Sequence, residues 1–125
     1  MLEFFDADEK QGSASIYESH ITFNKNLLKY FSNAYRVRVG CDCEEGKLYV
    51  FLIDKDYALS GEIKESSLLK LSLSKTYARI SSRAVVEYVV KSFNLESPKE
   101  KGFLKFDAYY DDLKKAIVVS VGGAK

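Results

Sequence analysis

Tryptophan is absent from this chain of 125 residues, and proline, histidine and methionine occur once each. A single proline, Pro98, leaves few enforced breaks in regular structure. One histidine, His20, beside two cysteines makes a poor ligand set for a soft metal, which ordinarily takes four. No stretch approaches the roughly 18 consecutive apolar residues that would cross a bilayer, so no membrane association is expected. The first ten residues, MLEFFDADEK, are acidic where a secretory leader is basic and then apolar, and a cytoplasmic location is expected from that. Neither a phosphate-cradling glycine loop nor a G-x-S-x-G elbow is present, so no enzymatic activity and no cofactor is expected.

What the chain has in quantity is tyrosine and phenylalanine, at 9 and 8, a balance that favours β structure. Hydrophobic residues at 46% and charged residues at 30% describe an ordinary globular chain, and the length suits one domain spanning residues 1–125. The net charge of +1 does not by itself ask for a polyanion. Its distribution is polarised. Glu3, Asp6, Asp8, Glu9 and Glu18 face only Lys10 in residues 1–19, whereas residues 61–95 hold six bases against three acids.

In chain order, residues 1–12 read as an acidic arm tucked by Phe4 and Phe5, with Gly12 and Ser13 as punctuation. SASIYESHITF is β-branched and aromatic and predicts one or two short strands with Ile21 and Phe23 on one face. Asn24 is a candidate N-cap for a helix of about ten residues carrying Leu27, Leu28 and Phe31, with Asn33 as its stop. RVRVGCDC alternates outward arginines, Arg36 and Arg38, with inward Val37 and Val39, and after Glu44–Lys47 the apolar run 48–53 completes a hairpin. The first half is thus 13–56, followed by a polar connector, 57–67.

The second half, 68–125, opens with Leu69, Leu71 and Leu73 alternating with polar residues as a strand, and extended structure continues through Ile80. Ser81 or Ser82 caps a helix whose Val85, Val86, Val89, Val90 and Phe93 make a broad apolar face. A loop with Pro98 leads to a second hairpin turning at Asp111–Asp112, and the terminal GGAK is expected to fray. Laying Ile21 on Ile80 puts Leu27 on Val86 and Phe31 on Val90. The expected fold is therefore α+β: two strand-helix-hairpin repeats closed into a pseudo-dimeric β-barrel-like core with two helices.

Ile21-Thr22-Phe23-Asn24-Lys25-Asn26-Leu27 with Phe31, then Arg36 to Val39 and Lys47 to Ile53, resembles the AbrB-type swapped-hairpin module of small bacterial DNA-binding regulators. Arg79-Ile80-Ser81 with Val86 and Val90 is a looser second copy, as in the tandem MraZ type. The two-half layout is also similar to short uncharacterised proteins of bacteria and mobile elements. The resemblance implies two interleaved units in one barrel and a DNA-binding transcriptional regulator. The chain departs from the family pattern at Asn24 and Arg83, where a rigid helix start is usual, and at Leu28 and Glu87, where an arginine is.

Under that reading Lys25, Lys29, Arg36, Arg38, Lys75, Arg79 and Arg83, with Lys91, line one face and meet the phosphates of duplex DNA. The plainer reading of the same charges is solvated surface. The alternative function is a protein-interaction or assembly module, with Tyr57, Phe51, Tyr109 and Tyr110 as an aromatic patch for a protein partner or for self-association. Those rings equally suit completion of a small core. Cys41 and Cys43 share a strand face at a spacing awkward for a disulfide, so a reduced pair is expected; no metal site is assigned to them with His20. Glu18, two residues before His20, would share its face, and nothing else at fixed spacing supplies a catalytic partner.

Overall fold

The computed structural model describes residues 12–122; the expectations for the acidic arm, including Phe4 and Phe5, and for the last three residues lie outside them. Eight strands form one antiparallel sheet: β1 (Gly12–Ile16), β2 (Ile21–Asn24), β3 (Arg36–Asp42), β4 (Lys47–Ile53), β5 (Ser72–Leu73), β6 (Tyr77–Ile80), β7 (Leu104–Asp111) and β8 (Ala116–Ser120). Their order is β3-β4-β8-β7-β1-β2-β6-β5. The sheet curls into a half-barrel, and an isolated antiparallel bridge between Val37 and Leu69 ties the β3 edge to the segment leading into β5. Paired amide hydrogen bonds of 3.0 and 2.8 Å make that bridge.

Alternation decides which side chains point into the curl. Ala14, Ile16, Ile21, Phe23, Leu48, Val50, Ala78, Ile80, Ile117 and Val119 are all buried and share one core cluster. Residues between them on the same strands face out. Three apolar side chains of the long helix α3 (Arg83–Phe93), namely Val86, Val89 and Phe93, enter the same cluster, as do Leu27 and Phe31. The rings of Phe23 and Phe31 meet at 5.1 Å. Truncating Phe31 would leave a void and cost about 3–5 kcal/mol.

Local chemistry explains the helix ends. Ser82 accepts a 3.2 Å hydrogen bond from the Val85 amide and so caps α3, and Asn94 closes it in the left-handed region at φ 54°. The valines of α3 are weak helix formers, and burial of three of the eleven positions holds the helix.

Several expectations are corrected. Gly12 and Ser13 are not punctuation but the first, buried residues of β1. Asn24 does not cap a helix of ten residues. Its side chain makes no cap bond, and its Oδ1 accepts the Ser13 amide at 3.1 Å instead. Lys25–Leu27 forms a 3-10 turn and Leu28–Phe31 a single helical turn, α1, which ends before Asn33. A short helix not read from the sequence, α2 (Lys55–Ala58), follows β4, and Asp54 caps it by accepting the Tyr57 amide at 2.8 Å. Of the Leu69–Leu73 strand only Ser72–Leu73 pairs, because Leu69 is bonded to β3 instead. Pro98 begins a helical turn, α4 (Pro98–Lys101), in place of the expected loop.

Candidate nucleic-acid interface

The register assembles one polar row across the outside of the sheet. Ser72 lies opposite Arg79, Arg79 opposite Thr22, Thr22 opposite Ser15, and Ser15 opposite Lys105. Because Ala78, Ile80, Ile21, Phe23, Ala14 and Ile16 on either side are buried, this whole row faces outward. Two cations thus flank a floor of short hydroxyl side chains, which lets a polyanion backbone come close and supplies it with donors.

Further cations stand at the ends of the β2–β6 ladder. Asn24 pairs with Tyr77, so Lys25 and the β5–β6 turn carrying Lys75 lie together beyond that end, and both are exposed. Beyond the other end, where Ile21 pairs with Ile80, come Arg83 and His20. Arg83 is engaged: its Nη1 lies 3.5 Å from the Glu18 carboxylate. Glu18 therefore serves Arg83, and His20 instead stacks on Tyr17 at 4.5 Å, with Ser19 Oγ 3.3 Å from its Nδ1. Burial, then the nearby Arg79 charge, holds the His20 pKa below its ordinary value.

Arg79 lies between Ser72 and Thr22 in the row. Its guanidinium lies 5.3 Å from the Tyr77 ring, which braces it, and its enclosed Nε has no hydrogen-bond partner among the described residues. The ion pairs among those residues are Arg83–Glu18, Lys101–Glu96 and Lys115–Asp112, so Arg79, Lys25, Lys75 and Lys105 carry no acidic partner there. A buried donor left without an acceptor costs about 1–3 kcal/mol.

The remaining members of the expected set are elsewhere. Arg36 donates from Nη1 to the Tyr35 carbonyl at 2.9 Å and lies over the Tyr35 ring at 4.1 Å, at the β3 edge. Arg38 is exposed on β3 opposite Phe51, while Lys29 and Lys91 are exposed on α1 and α3. Four of the seven, Lys25, Lys75, Arg79 and Arg83, fall along the β2–β6 ladder. Lys105 joins them only through the pairing of β7 with β1, a long-range register that local alternation does not reveal.

The aromatic patch divides. Tyr110 turns toward the core and stacks on Tyr30 at 4.3 Å, while Phe51 and Tyr109 face outward with Tyr49. Cys41 and Cys43 reach α3, where Cys43 Sγ donates to the Ser92 carbonyl at 3.2 Å. Both are free thiols, and burial foremost raises the Cys41 pKa.

No protein family, no curated protein and no solved structure matches the chain.

Proposed function

We propose that the protein binds duplex DNA as an AbrB-like transcriptional regulator, with Lys25, Lys75, Arg79 and Lys105 contacting phosphates across the β2–β6 ladder. The observation that supports this reading is the outward-facing row in which Arg79, with no acidic partner among the described residues, and Lys105 flank the short hydroxyl residues Thr22 and Ser15. Arginine is the side chain that grips phosphate through two parallel bonds.

The architecture behind it is two interleaved halves in one chain. Three features of the pairing support this. Apart from the single turn α4 before β7, each half runs strand, strand, helix, strand, strand: β1-β2-α1-β3-β4, then β5-β6-α3-β7-β8. Like pairs with like at two places four strands apart, β2 with β6 and β4 with β8. Each half's leading strand joins the other half's hairpin, β1 to β7 and the β5 lead-in to β3 through the Val37–Leu69 bridge. The registers of the hairpins β1–β2 and β5–β6 superpose Thr22 on Arg79 and not Ile21 on Ile80, so the pseudo-twofold axis we infer crosses the β2–β6 ladder at the Thr22–Arg79 pair, and that ladder is then the seam where both halves present their outer face.

The test is fluorescence anisotropy on a mixed-sequence duplex. Four phosphate contacts give a log–log salt slope of about −3.6, a loss of about 150-fold in affinity between 50 and 200 mM salt. Arg79→Gln lowers that slope by about one, while Lys91→Gln, on the outside of α3, leaves it unchanged. Binding that is absent at low salt, or that responds equally to both substitutions, removes the reading.

A further inference from the structure

A cleft of about 330 Å³ lies at the β3–β4 end of the sheet, and the duplex contact proposed above makes no use of it. Three elements build its wall. Arg38 on β3 lies opposite Phe51 on β4, and both point out of the curl because Val37 and Val50 beside them are buried. Directly after β4, Asp54 accepts the Tyr57 amide at 2.8 Å, which starts α2 at once and sets Tyr57 in the same wall as Phe51. In the β7–β8 turn, Asp111 Oδ1 accepts the amides of Leu113 and Lys114 at 3.0 and 3.2 Å. Lys115 follows in the left-handed region at φ 54°, and its carbonyl accepts the Leu52 amide at 3.0 Å. That bond hooks the turn onto β4 and brings Lys114 and Lys115 to the cleft.

The wall thus holds two aromatic rings and three cations, and no carboxylate lines it. Lys115 is paired with Asp112 at 3.2 Å, whereas Arg38 and Lys114 have no acidic partner among the described residues. The Phe51 ring is backed by Tyr49 at 5.8 Å, and Tyr57 is 42% exposed. An anion alone would leave the rings uncovered, and an apolar ligand would bury the cations unpaired. A planar aromatic group that carries phosphate satisfies both, and the volume, at the small end of the range of about 300–1,000 Å³ for ligand sites, suits one nucleotide.

We infer that this cleft binds a nucleotide, with its base against Phe51 and Tyr57 and its phosphate on Arg38 and Lys114. The arginine fork takes two phosphate oxygens at once, and the lysine adds a point charge. Stacking on an aromatic ring is open to every base, so the site takes a nucleotide and not one particular base. A free 5′-mononucleotide and one unpaired nucleotide of a single strand present the same chemistry. A base inside a duplex does not, because it is already stacked on its neighbours. The cleft is therefore separate from the β2–β6 ladder and does not depend on whether that ladder meets duplex DNA.

Titration of the isotope-labelled full chain to millimolar concentrations of adenosine 5′-monophosphate, adenosine, inorganic phosphate or single-stranded oligodeoxyadenylate, read by backbone amide resonances, tests this. The monophosphate is expected to give saturable shifts at Arg38, Phe51, Tyr57 and Lys114, with adenosine and phosphate each at least tenfold weaker. Arg38→Gln and Tyr57→Ala, both at exposed positions, should each weaken binding about tenfold and leave the far-UV circular dichroism spectrum unchanged. An oligonucleotide that shifts the same residues and binds more tightly than the monophosphate makes a single strand the source of the nucleotide; one that binds no more tightly makes it the free nucleotide, and either result sustains the inference. It is overturned if neither the monophosphate nor the oligonucleotide gives saturable shifts at these residues. Adenosine or phosphate binding as tightly as the monophosphate, or indifference to both substitutions, overturns it equally.

Discussion

Gly12 is the point where β1, which carries Ser15 of the hydroxyl floor, meets the turn after β2. A Cβ added there would fall 2.5 Å from Leu27 Cγ and 2.6 and 2.9 Å from its two methyl carbons. Leu27 is 2% exposed, and Cγ is the branch point rather than the far end of the side chain, so rotation alone does not clear the clash. Gly12→Ala must therefore push Leu27 against Phe23 and Phe31 or lift the start of β1, an overpacking cost of about 1–3 kcal/mol. Leu27→Val alone removes one methylene and costs about 1 kcal/mol. Because both changes act on the same space, the double variant should be more stable than the sum predicts, by about 1–2 kcal/mol. Urea denaturation followed by far-UV circular dichroism reads this directly. At a slope of about 1–3 kcal/mol per molar, Gly12→Ala moves the midpoint down by roughly 1 M. A shift within error of zero, or strict additivity in the double variant, would refute the packing argument.

Two other outcomes rest on local chemistry. The folded-state pKa of His20 lies below its unfolded value of about 6.5, so the unfolded chain takes up the proton first, and stability falls as pH drops from about 6.5 into the lower folded-state range. Denaturation midpoints between about pH 7.5 and 5.5 should show this decline in the wild type and less of it in His20→Gln; a wild type that gains stability on acidification would mean that His20 is paired. Ser82→Ala removes the hydrogen bond to the Val85 amide and should cost about 1 kcal/mol, measured by the same denaturation, with Ser81→Ala near neutral because Ser82 supplies the cap.

How far the sequence could be read depended on the range of the interaction. The hairpin β3–β4 is written locally, in alternating Val37 and Val39 and in Gly46, whose φ of 66° suits the turn. The second hairpin is equally local, since Asp111 Oδ1 accepts the amides of Leu113 and Lys114 at 3.0 and 3.2 Å. Partners distant in sequence were not legible. Asn24 has the composition of a helix cap, yet Ser13 in β1 claims its side chain. Leu69 alternates like a strand residue, but its hydrogen bonds go to Val37 across the sheet edge, which leaves Leu73 48% exposed. The candidate site divides along the same line. Arg79 and Thr22 could each be placed outward from their own strands, whereas the row joining Arg79 to Lys105 exists only through three inter-strand registers. Arg36 and Arg38 carried the right chemistry and lie at the other edge of the sheet.

The proposed DNA contact is on the β2–β6 ladder and not on the aromatic face. Titrating the isotope-labelled protein with a short duplex and tracking its backbone amide resonances tests it most directly. Shifts are expected at Ser15, Thr22, Lys25, Lys75, Arg79 and Lys105, with Tyr49 and Tyr109 unmoved. Shifts centred on Tyr49 and Tyr109, or none at low salt, would contradict it.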